Sequence, residues 1–212
     1  MNLFTILRHH AATQPNAIAS RSSRRVVTYR KFWSRIERAT ARLKAEWQVQ
    51  PGDTVVYWGQ GHQDALMLYI AIARCGAKLL PLEHAPLHQQ SMAILQKIPT
   101  VLLLHDDETI FEVPPAAPLI VNLSSLIATR CHHTPAVSED LQQPSLLALT
   151  FAADGTCVAG EKNLQQLMDH AAIDVALDAA REFRIAEALF DADIFAPQVL
   201  PVLVAGGTIV FR

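Results

Sequence analysis

The feature that most constrains this chain is the repeated alternation of short apolar runs with segments of helical periodicity. Apolar runs of this length, bounded by Gly, Pro or polar turns, are typical of buried strands. They occur at 54–58, 77–82, 100–105, 118–123 and 146–151. Segments 64–74 and 87–97 have the spacing of helices. Strands that alternate with helices favour parallel sheets flanked by helices, so the sequence predicts an α/β fold.

The remaining segments are predicted in the same way. Leu3, Ile6, Leu7 and Ala11 share one face of a helix over 3–13. Two short strands surround a Ser-Ser-Arg-Arg turn, and Thr28 is the expected N-cap of a helix that carries Phe32 and Ile36. The predictions for the C-terminal third are a long helix at 163–184, a strand at 186–190, a helix at 195–205 and a last strand at 206–212.

A polar, Pro-bearing stretch at 131–145 is the best candidate for a linker. It would separate a first α/β lobe, residues 1–130, from a second and partial lobe, residues 146–212.

Composition and charge exclude several classes of protein. Half of the 212 residues are apolar, which supports a sizeable core and argues against disorder. The net charge of −2 gives no general attraction to nucleic acid or to an anionic membrane. The mild basic cluster at 21–38 is interpreted as a charged helix face beside a turn rather than as a nucleic-acid patch. The longest apolar run, 65–73, is too short for a membrane span.

Three widely spaced cysteines, Cys75, Cys131 and Cys157, fit neither a disulfide scaffold nor a zinc site. They favour a reducing compartment, so we expect a cytoplasmic protein. Histidines offer no better metal site, because Pro86 separates His84 from His88, and His132 and His133 are adjacent in sequence. We therefore predict no metal site. Because no nucleophile can be paired with a base by local pattern, we assign no catalytic residue.

Two glycine motifs are near misses. Residues 58–64, WGQGHQD, place Asp64 where a dinucleotide fingerprint needs a third small residue, and its charge would oppose a pyrophosphate. A tight turn at Gly59 and Gly61 with Asp64 as a helix cap is the simpler interpretation. Residues 155–163, GTCVAGEKN, insert Glu161 before the lysine of a Walker loop and replace its hydroxyl by Asn163.

Three short groups of residues recur in a fixed order and spacing: Thr28-Tyr29, then Pro51-Gly52-Asp53 before a strand, then Gly76-Ala77 leading to Pro81-Leu82. In this order and spacing the chain resembles adenylate-forming enzymes: acyl-CoA synthetases, aryl-acid ligases and adenylation domains of peptide synthetases. Near the C-terminus, Phe190-Asp191 and Gly206-Gly207-Thr208 resemble the peptide-synthetase version. The resemblance implies mostly parallel sheets flanked by helices, as in the N-terminal subdomains of that family.

The family's phosphate loop has the form T-S-G-[ST]-T-G-x-P-K-G, and here 150–159 reads TFAADGTCVA. Thr150 and Gly155 match, whereas Asp154 replaces a hydroxyl and Val158 replaces the lysine. Losing the lysine and one hydroxyl would cost about 3–6 kcal/mol, or roughly 10²–10⁴ in affinity. We therefore expect a degenerate cofactor-binding loop of Thr150, Asp154, Gly155 and Thr156. Only a weak anion site would remain, formed by backbone amides of a following helix, with no tightly bound ATP or magnesium.

The sequence reaches Arg212 without the family's adenine-binding, magnesium-binding and ribose-binding segments or its C-terminal domain. The resemblance therefore implies that this polypeptide alone forms no acyl adenylate, and activity on its own is not expected. Three hypotheses follow: a non-catalytic pseudoenzyme that serves as a binding or assembly module in a biosynthetic pathway, the N-terminal component of a split acyl- or aminoacyl-adenylating ligase, or a truncated relic without independent function. An exposed edge at the last strand would favour a homodimer or a complex with a pathway enzyme or carrier protein.

Overall fold

The computed structural model describes residues 2–82, 88–106, 119–128, 137–151, 157–171, 182–185, 188–191 and 193–211. The helices in this part of the chain are α1 Leu3–Thr13, α2 Tyr29–Ala45, α3 Gln63–Arg74, α4 His88–Lys97, α5 Leu123–Ala128, α6 Leu164–Ala171 and α7 Leu200–Ala205. A π-helical turn, Phe195–Val199, leads into α7. The strands are β1 Ile18–Arg21, β2 Val26–Thr28, β3 Thr54–Trp58, β4 Lys78–Leu82, β5 Leu102–His105, β6 Leu119–Asn122, β7 Pro144–Phe151, β8 Cys157–Asn163, β9 Glu182–Arg184 and β10 Thr208–Val210.

The strands form two sheets. The larger has the order β6-β5-β3-β4-β7-β8, and its strands are parallel except for β8, which runs antiparallel to β7. The smaller has the order β2-β1-β10-β9, with β1, β10 and β9 parallel. Mostly parallel sheets flanked by helices confirm the predicted fold class.

Each sheet combines strands from both sides of the predicted linker. In the smaller sheet Ser20 pairs with Ile209, and in the larger one Leu79 pairs with Leu146. Of the predicted linker, 131–136 lie outside the described residues, and Pro144 and Ser145 belong to β7. The sheets therefore do not follow the boundary at 131–145, and the division into two lobes stays a prediction.

The main core lies where α1, α2 and α3 pack together and against the sheets. Every residue of α3 is buried, which explains why its sequence is apolar on all sides. Tyr69 of α3 stacks edge-on against Phe195 at 4.9 Å between ring centroids, and its hydroxyl lies 2.9 Å from the Ser145 hydroxyl. Burial raises the pKa of Tyr69 above its ordinary value. Among the described residues, no helix is long and apolar enough to cross a membrane.

Most predicted helices and strands of the N-terminal half are confirmed, with end residues shifted by one or two. Thr28 caps α2 as predicted, because its side chain accepts a hydrogen bond from the Lys31 amide. The chain also turns at 51–52, where Gly52 has a φ of 87°. A short helix, α5, was not predicted.

The C-terminal third requires two corrections. The predicted helix at 163–184 is wrong at its C-terminal end, because α6 covers Leu164–Ala171, residues 172–181 lie outside the described residues, and Glu182–Arg184 form β9. The predicted strand at 186–190 is also wrong where it is described, because residues 189 and 190 form a turn.

Candidate functional site

The predicted phosphate loop lies at the tip of a β-hairpin. Strands β7 and β8 pair from Pro144 opposite Asn163 to Phe151 opposite Cys157, which leaves residues 152–156 as their connection. Of the four predicted binding residues, Thr150 is exposed and pairs with Val158. Asp154, Gly155 and Thr156 lie outside the described residues.

The hairpin corrects one expectation about this loop. A helix was expected to follow the turn and to offer its amides to an anion. Seven residues of strand β8 come first, and α6 begins only at Leu164. At about 3.4 Å per residue, the start of α6 lies roughly 20 Å along the strand from the turn. Helix amides therefore cannot complete an anion site at the loop.

A second polar group lies at the same edge of the large sheet. Because β3, β4, β5 and β7 are parallel, their carboxyl ends meet at one edge, and the hairpin turn is at that edge too. From β3 the chain passes through α3 to β4 on one side, whereas from β5 it continues to β6 on the other. The ends of β3 and β5 therefore form a topological switch point, where open α/β sheets bind ligands.

Asp106, which follows β5, organises this switch point. Its side chain is 3% exposed, and its Oδ2 accepts hydrogen bonds from the Tyr57 hydroxyl at 3.1 Å and from the Gln60 amide at 2.7 Å. The Tyr57 hydroxyl in turn accepts from the Gly61 amide at 3.1 Å. One buried carboxylate thus holds the loop between β3 and α3 against the end of β5.

His62 is the exposed member of this group. Its Nδ1 accepts a hydrogen bond from the Asp64 amide at 3.1 Å, which makes His62 the N-cap of α3. Because Nδ1 accepts, the neutral ring carries its proton on Nε2, and that atom lies 3.8 Å from Asp106 Oδ2. A partly exposed imidazole beside a buried carboxylate can bind or transfer a proton at this edge.

Both glycines of the WGQGHQD motif are required by the conformation and packing of the loop between β3 and α3. Gly61 adopts a φ of 70°, a conformation that other residues rarely take. A Cβ at Gly59 would collide with Asp106 Oδ2 and with the Tyr57 ring. The chain bends at Gly59, whereas residues 60–62 form no regular turn, and the glycines allow the backbone to approach Asp106.

Asp64 has a different place from the one expected. It lies in the first turn of α3 and is not the cap. Its Oδ1 lies 2.6 Å from the Arg25 guanidinium and 3.7 Å from that of Arg35. The carboxylate therefore ties α3 to the β1–β2 turn and to α2, and its other oxygen, Oδ2, lies 4.0 Å from His62 Nδ1.

Sequence reasoning missed Asp106 because one acid after an apolar run has no distinctive spacing. Its place directly after a buried parallel strand was the available signal. Among the described residues, no group of three His, Cys, Asp or Glu is arranged to hold a metal ion. His84, His132 and His133 lie outside those residues.

The polar groups of this mostly parallel sheet converge where the carboxyl ends of its strands meet. This arrangement is typical of the α/β proteins that bind ligands at that edge. Comparison with known proteins identifies the family. The AMP-binding enzyme family matches residues 7–173. This chain therefore belongs to the AMP-binding enzymes, the adenylate-forming family whose features the sequence resembles.

A curated relative is the D-alanine–D-alanyl carrier protein ligase of Bacillus licheniformis. It is 23% identical over 215 residues, which cover 99% of this chain and 42% of that protein. The chain thus spans less than half the length of the curated relative it matches.

Solved structures show the same fold. The o-succinylbenzoate coenzyme A synthetase of Bacillus subtilis, in complex with AMP, superposes with a TM-score of 0.84 at 16% identity, covering 98% of this chain and 55% of that one. The N-terminal subdomain of Klebsiella oxytoca NpsA, in complex with 3-hydroxybenzoyl-AMSN, gives 0.80 at 18% identity, covering 100% and 53%. The fold is therefore that of N-terminal subdomains of adenylate-forming enzymes.

Proposed function

We propose that this chain is a non-catalytic member of the adenylate-forming family. In this proposal it serves as a binding or assembly module in a cytoplasmic biosynthetic pathway. The observation that carries the proposal is the composition of the β7–β8 hairpin beside its turn. Val158, at the position of the family's lysine, is 59% exposed and pairs with Thr150 beside the turn. An exposed hydrocarbon side chain at that position offers a triphosphate neither charge nor a hydrogen bond.

Nothing else on the described hairpin replaces the missing cation. In its described residues the one basic side chain is Lys162, which pairs with Leu146 near the end away from the turn. Lys162 lies four residues further along the extended strand than Val158, a distance of about 14 Å. Within the loop, Asp154 adds a negative charge that opposes a phosphate. These features support the proposal that the loop connecting β7 and β8 does not bind ATP tightly.

The test restores the loop. The double variant Val158→Lys/Asp154→Thr returns the family's lysine and hydroxyl, and it raises the net charge by two. We expect this variant to gain binding of ATP with magnesium in a calorimetric titration, because a cation and a hydroxyl again face the phosphates. Glu161→Lys raises the net charge equally at the other end of β8 and should gain nothing. Equal nucleotide binding by the unaltered chain would overturn the proposal.

The proposed partner is a second copy of the chain, a pathway enzyme or a carrier protein. The exposed edge that was expected at the last strand does not support self-association, because β10 pairs with β1 on one side and with β9 on the other. What still supports association is the outer strand β8, whose residues 158–162 are all exposed. Light scattering tests the self-association part: a monomer at tens of micromolar would contradict it.

A second candidate function is the N-terminal component of an acyl- or aminoacyl-adenylating ligase, completed by the family segments that these 212 residues do not contain. The favouring observation is that the fold superposes on an N-terminal subdomain described in complex with 3-hydroxybenzoyl-AMSN. Acid-dependent pyrophosphate exchange, measured after those segments are supplied, tests this candidate. Exchange would establish the ligase component, and its absence alongside exchange by the restored loop would exclude it.

A further inference from the structure

Charge is strongly segregated along this chain. Residues 21–44 contain nine of the 18 Lys and Arg and one of the 20 Asp and Glu, so this segment carries a net charge of +8 and the remainder −10. The overall net charge of −2 conceals this division. Such asymmetry is typical of proteins that bind a charged partner on one surface.

The fold gathers part of that charge into a basic ridge, which we define as Arg25, Lys31, Arg35 and Arg38. The last three follow one another at four- and three-residue intervals, so they lie on one side of α2. The opposite side of the helix is buried, with Phe32, Ile36 and Leu43 at 0% exposure. Arg25 comes from the β1–β2 turn and lies beside Arg35, since both reach Asp64.

The ridge has too few acids for its cations. Asp64 is the carboxylate that faces it within ion-pair distance among the described residues, and it is shared between Arg25 and Arg35. Arg25 Nε and Arg35 Nη1 are buried without a hydrogen-bond partner in the described part of the chain. Burial, together with the charges of Arg25 and Arg38, lowers the pKa of the Arg35 guanidinium. An added carboxylate would relieve this crowding of positive charge.

We propose that the basic ridge is a docking surface for a partner protein that presents an acidic helix face. From Lys31 to Arg38 the ridge is about 10 Å long, which matches two turns of a partner helix. Guanidinium groups pair with carboxylates through two parallel hydrogen bonds, which sets orientation as well as affinity. This inference rests on the proposed role as a binding module and names the chemistry of its partner.

A protein fits the ridge better than a nucleic acid does. The rest of the chain, residues 1–20 and 45–212, carries a net charge of −10, which repels an extended polyanion. The aromatic residues of α2, among them Phe32 and Trp33, are buried and leave no surface on which bases could stack. A short ridge within an acidic molecule selects a compact acidic surface.

The probe is a labelled helical peptide of about 18 residues with Glu at positions i, i+4, i+7 and i+11, compared with a peptide that has Gln at those positions. Lys31→Glu/Arg38→Glu reverses the ridge and lowers the net charge by four. Lys97→Glu/Lys162→Glu lowers it equally at exposed positions elsewhere. Circular dichroism confirms that each variant folds, and Lys31→Gln/Arg38→Gln is the milder variant should the reversal unfold.

Fluorescence anisotropy should show the Glu peptide binding more tightly than the Gln peptide, with affinity falling as salt rises. The ridge variant should bind about tenfold more weakly or worse, and the control variant should stay within about twofold. Equal weakening by both variants would overturn the proposal. So would a DNA duplex that binds more tightly than the peptide and is lost with the ridge. Since no loop residue changes, failure here leaves the nucleotide result of the loop variants standing.

Discussion

Gly59, directly after β3, determines how closely the loop that follows this strand approaches Asp106 at the end of β5. The Asp106 carboxylate can accept the Gln60 amide at 2.7 Å only because the preceding residue, Gly59, has no side chain. The sequence predicted the turn at Gly59 and Gly61 from their residue type. It could not predict the contact with Asp106, because the two residues are 47 positions apart and meet only when β3 pairs with β5.

Replacement of Gly59 by alanine tests this close approach. The added Cβ would collide with Asp106 and Tyr57, so we expect the free energy of unfolding to fall by about 1–3 kcal/mol in urea titrations. Gly160→Ala is the matched control, since a Cβ there has Ala148 O at 3.9 Å as its nearest neighbour. It should change stability by less than about 0.5 kcal/mol. Equal effects at the two glycines would contradict the close packing at Gly59.

Cys75 gives a second test at this scale. The side chain is fully buried, and burial raises the pKa of its thiol from 9.0 to about 12. Because the thiolate is the reactive form, iodoacetamide at pH 8 should leave Cys75 unmodified in the folded protein and label it in denaturant. The unfolded thiol ionises first as pH rises, so this group's contribution to stability is lost between about pH 9 and 12. Mass spectrometry that found native labelling of Cys75 would contradict the burial.

At the scale of elements, prediction from sequence succeeded where hydrophobic patterns were strong. The buried strands β3, β4 and β5 and the helices α1 to α4 have such patterns. Strand β8 was missed because Gly160, Glu161 and Lys162 favour a loop, and only pairing with β7 makes this exposed edge a strand. Strand β9 was read as helix because its three residues, Glu182–Arg184, follow an Ala-rich segment and become extended by pairing with β10.

The boundary between β8 and α6 is set by a capping box. Asn163 Oδ1 accepts from the Gln166 amide at 2.8 Å, and Gln166 Oε1 accepts from the Asn163 amide at 3.0 Å. We expect Asn163→Ala to lower the free energy of unfolding by about 1 kcal/mol, because the Gln166 amide at the helix start loses its acceptor, Asn163 Oδ1. The control is Gln165→Ala, two residues further along the chain. This substitution removes only the hydrogen bond between the side chains of Gln165 and Asp169. The free energy of unfolding of this control should stay within about 0.5 kcal/mol of that of the unaltered chain in the same urea titrations. An equal loss in both variants would contradict a stabilising role for the capping box.

For the whole molecule, the two sheets connect distant parts of the chain. Strand β10 lies between β1 and β9, and the Tyr29 hydroxyl donates to Gly207 O at 2.7 Å, so the start of α2 is tied to the turn before β10. Alternation of strands and helices predicted parallel sheets, yet it could not assign β7 to the sheet of β3. Strand order depends on long-range pairing that no local pattern contains.

A calorimetric titration of the unaltered chain with ATP and magnesium tests whether the hairpin has lost nucleotide binding. We predict no saturable binding below about 1 mM, because the sequence has Val158 and Asp154 at the positions where the family has a lysine and a hydroxyl. The Val158→Lys/Asp154→Thr variant, titrated alongside, should bind ATP more tightly than the unaltered chain, because these two changes return phosphate contacts only. One-to-one binding of ATP by the unaltered chain with a micromolar Kd would contradict the account.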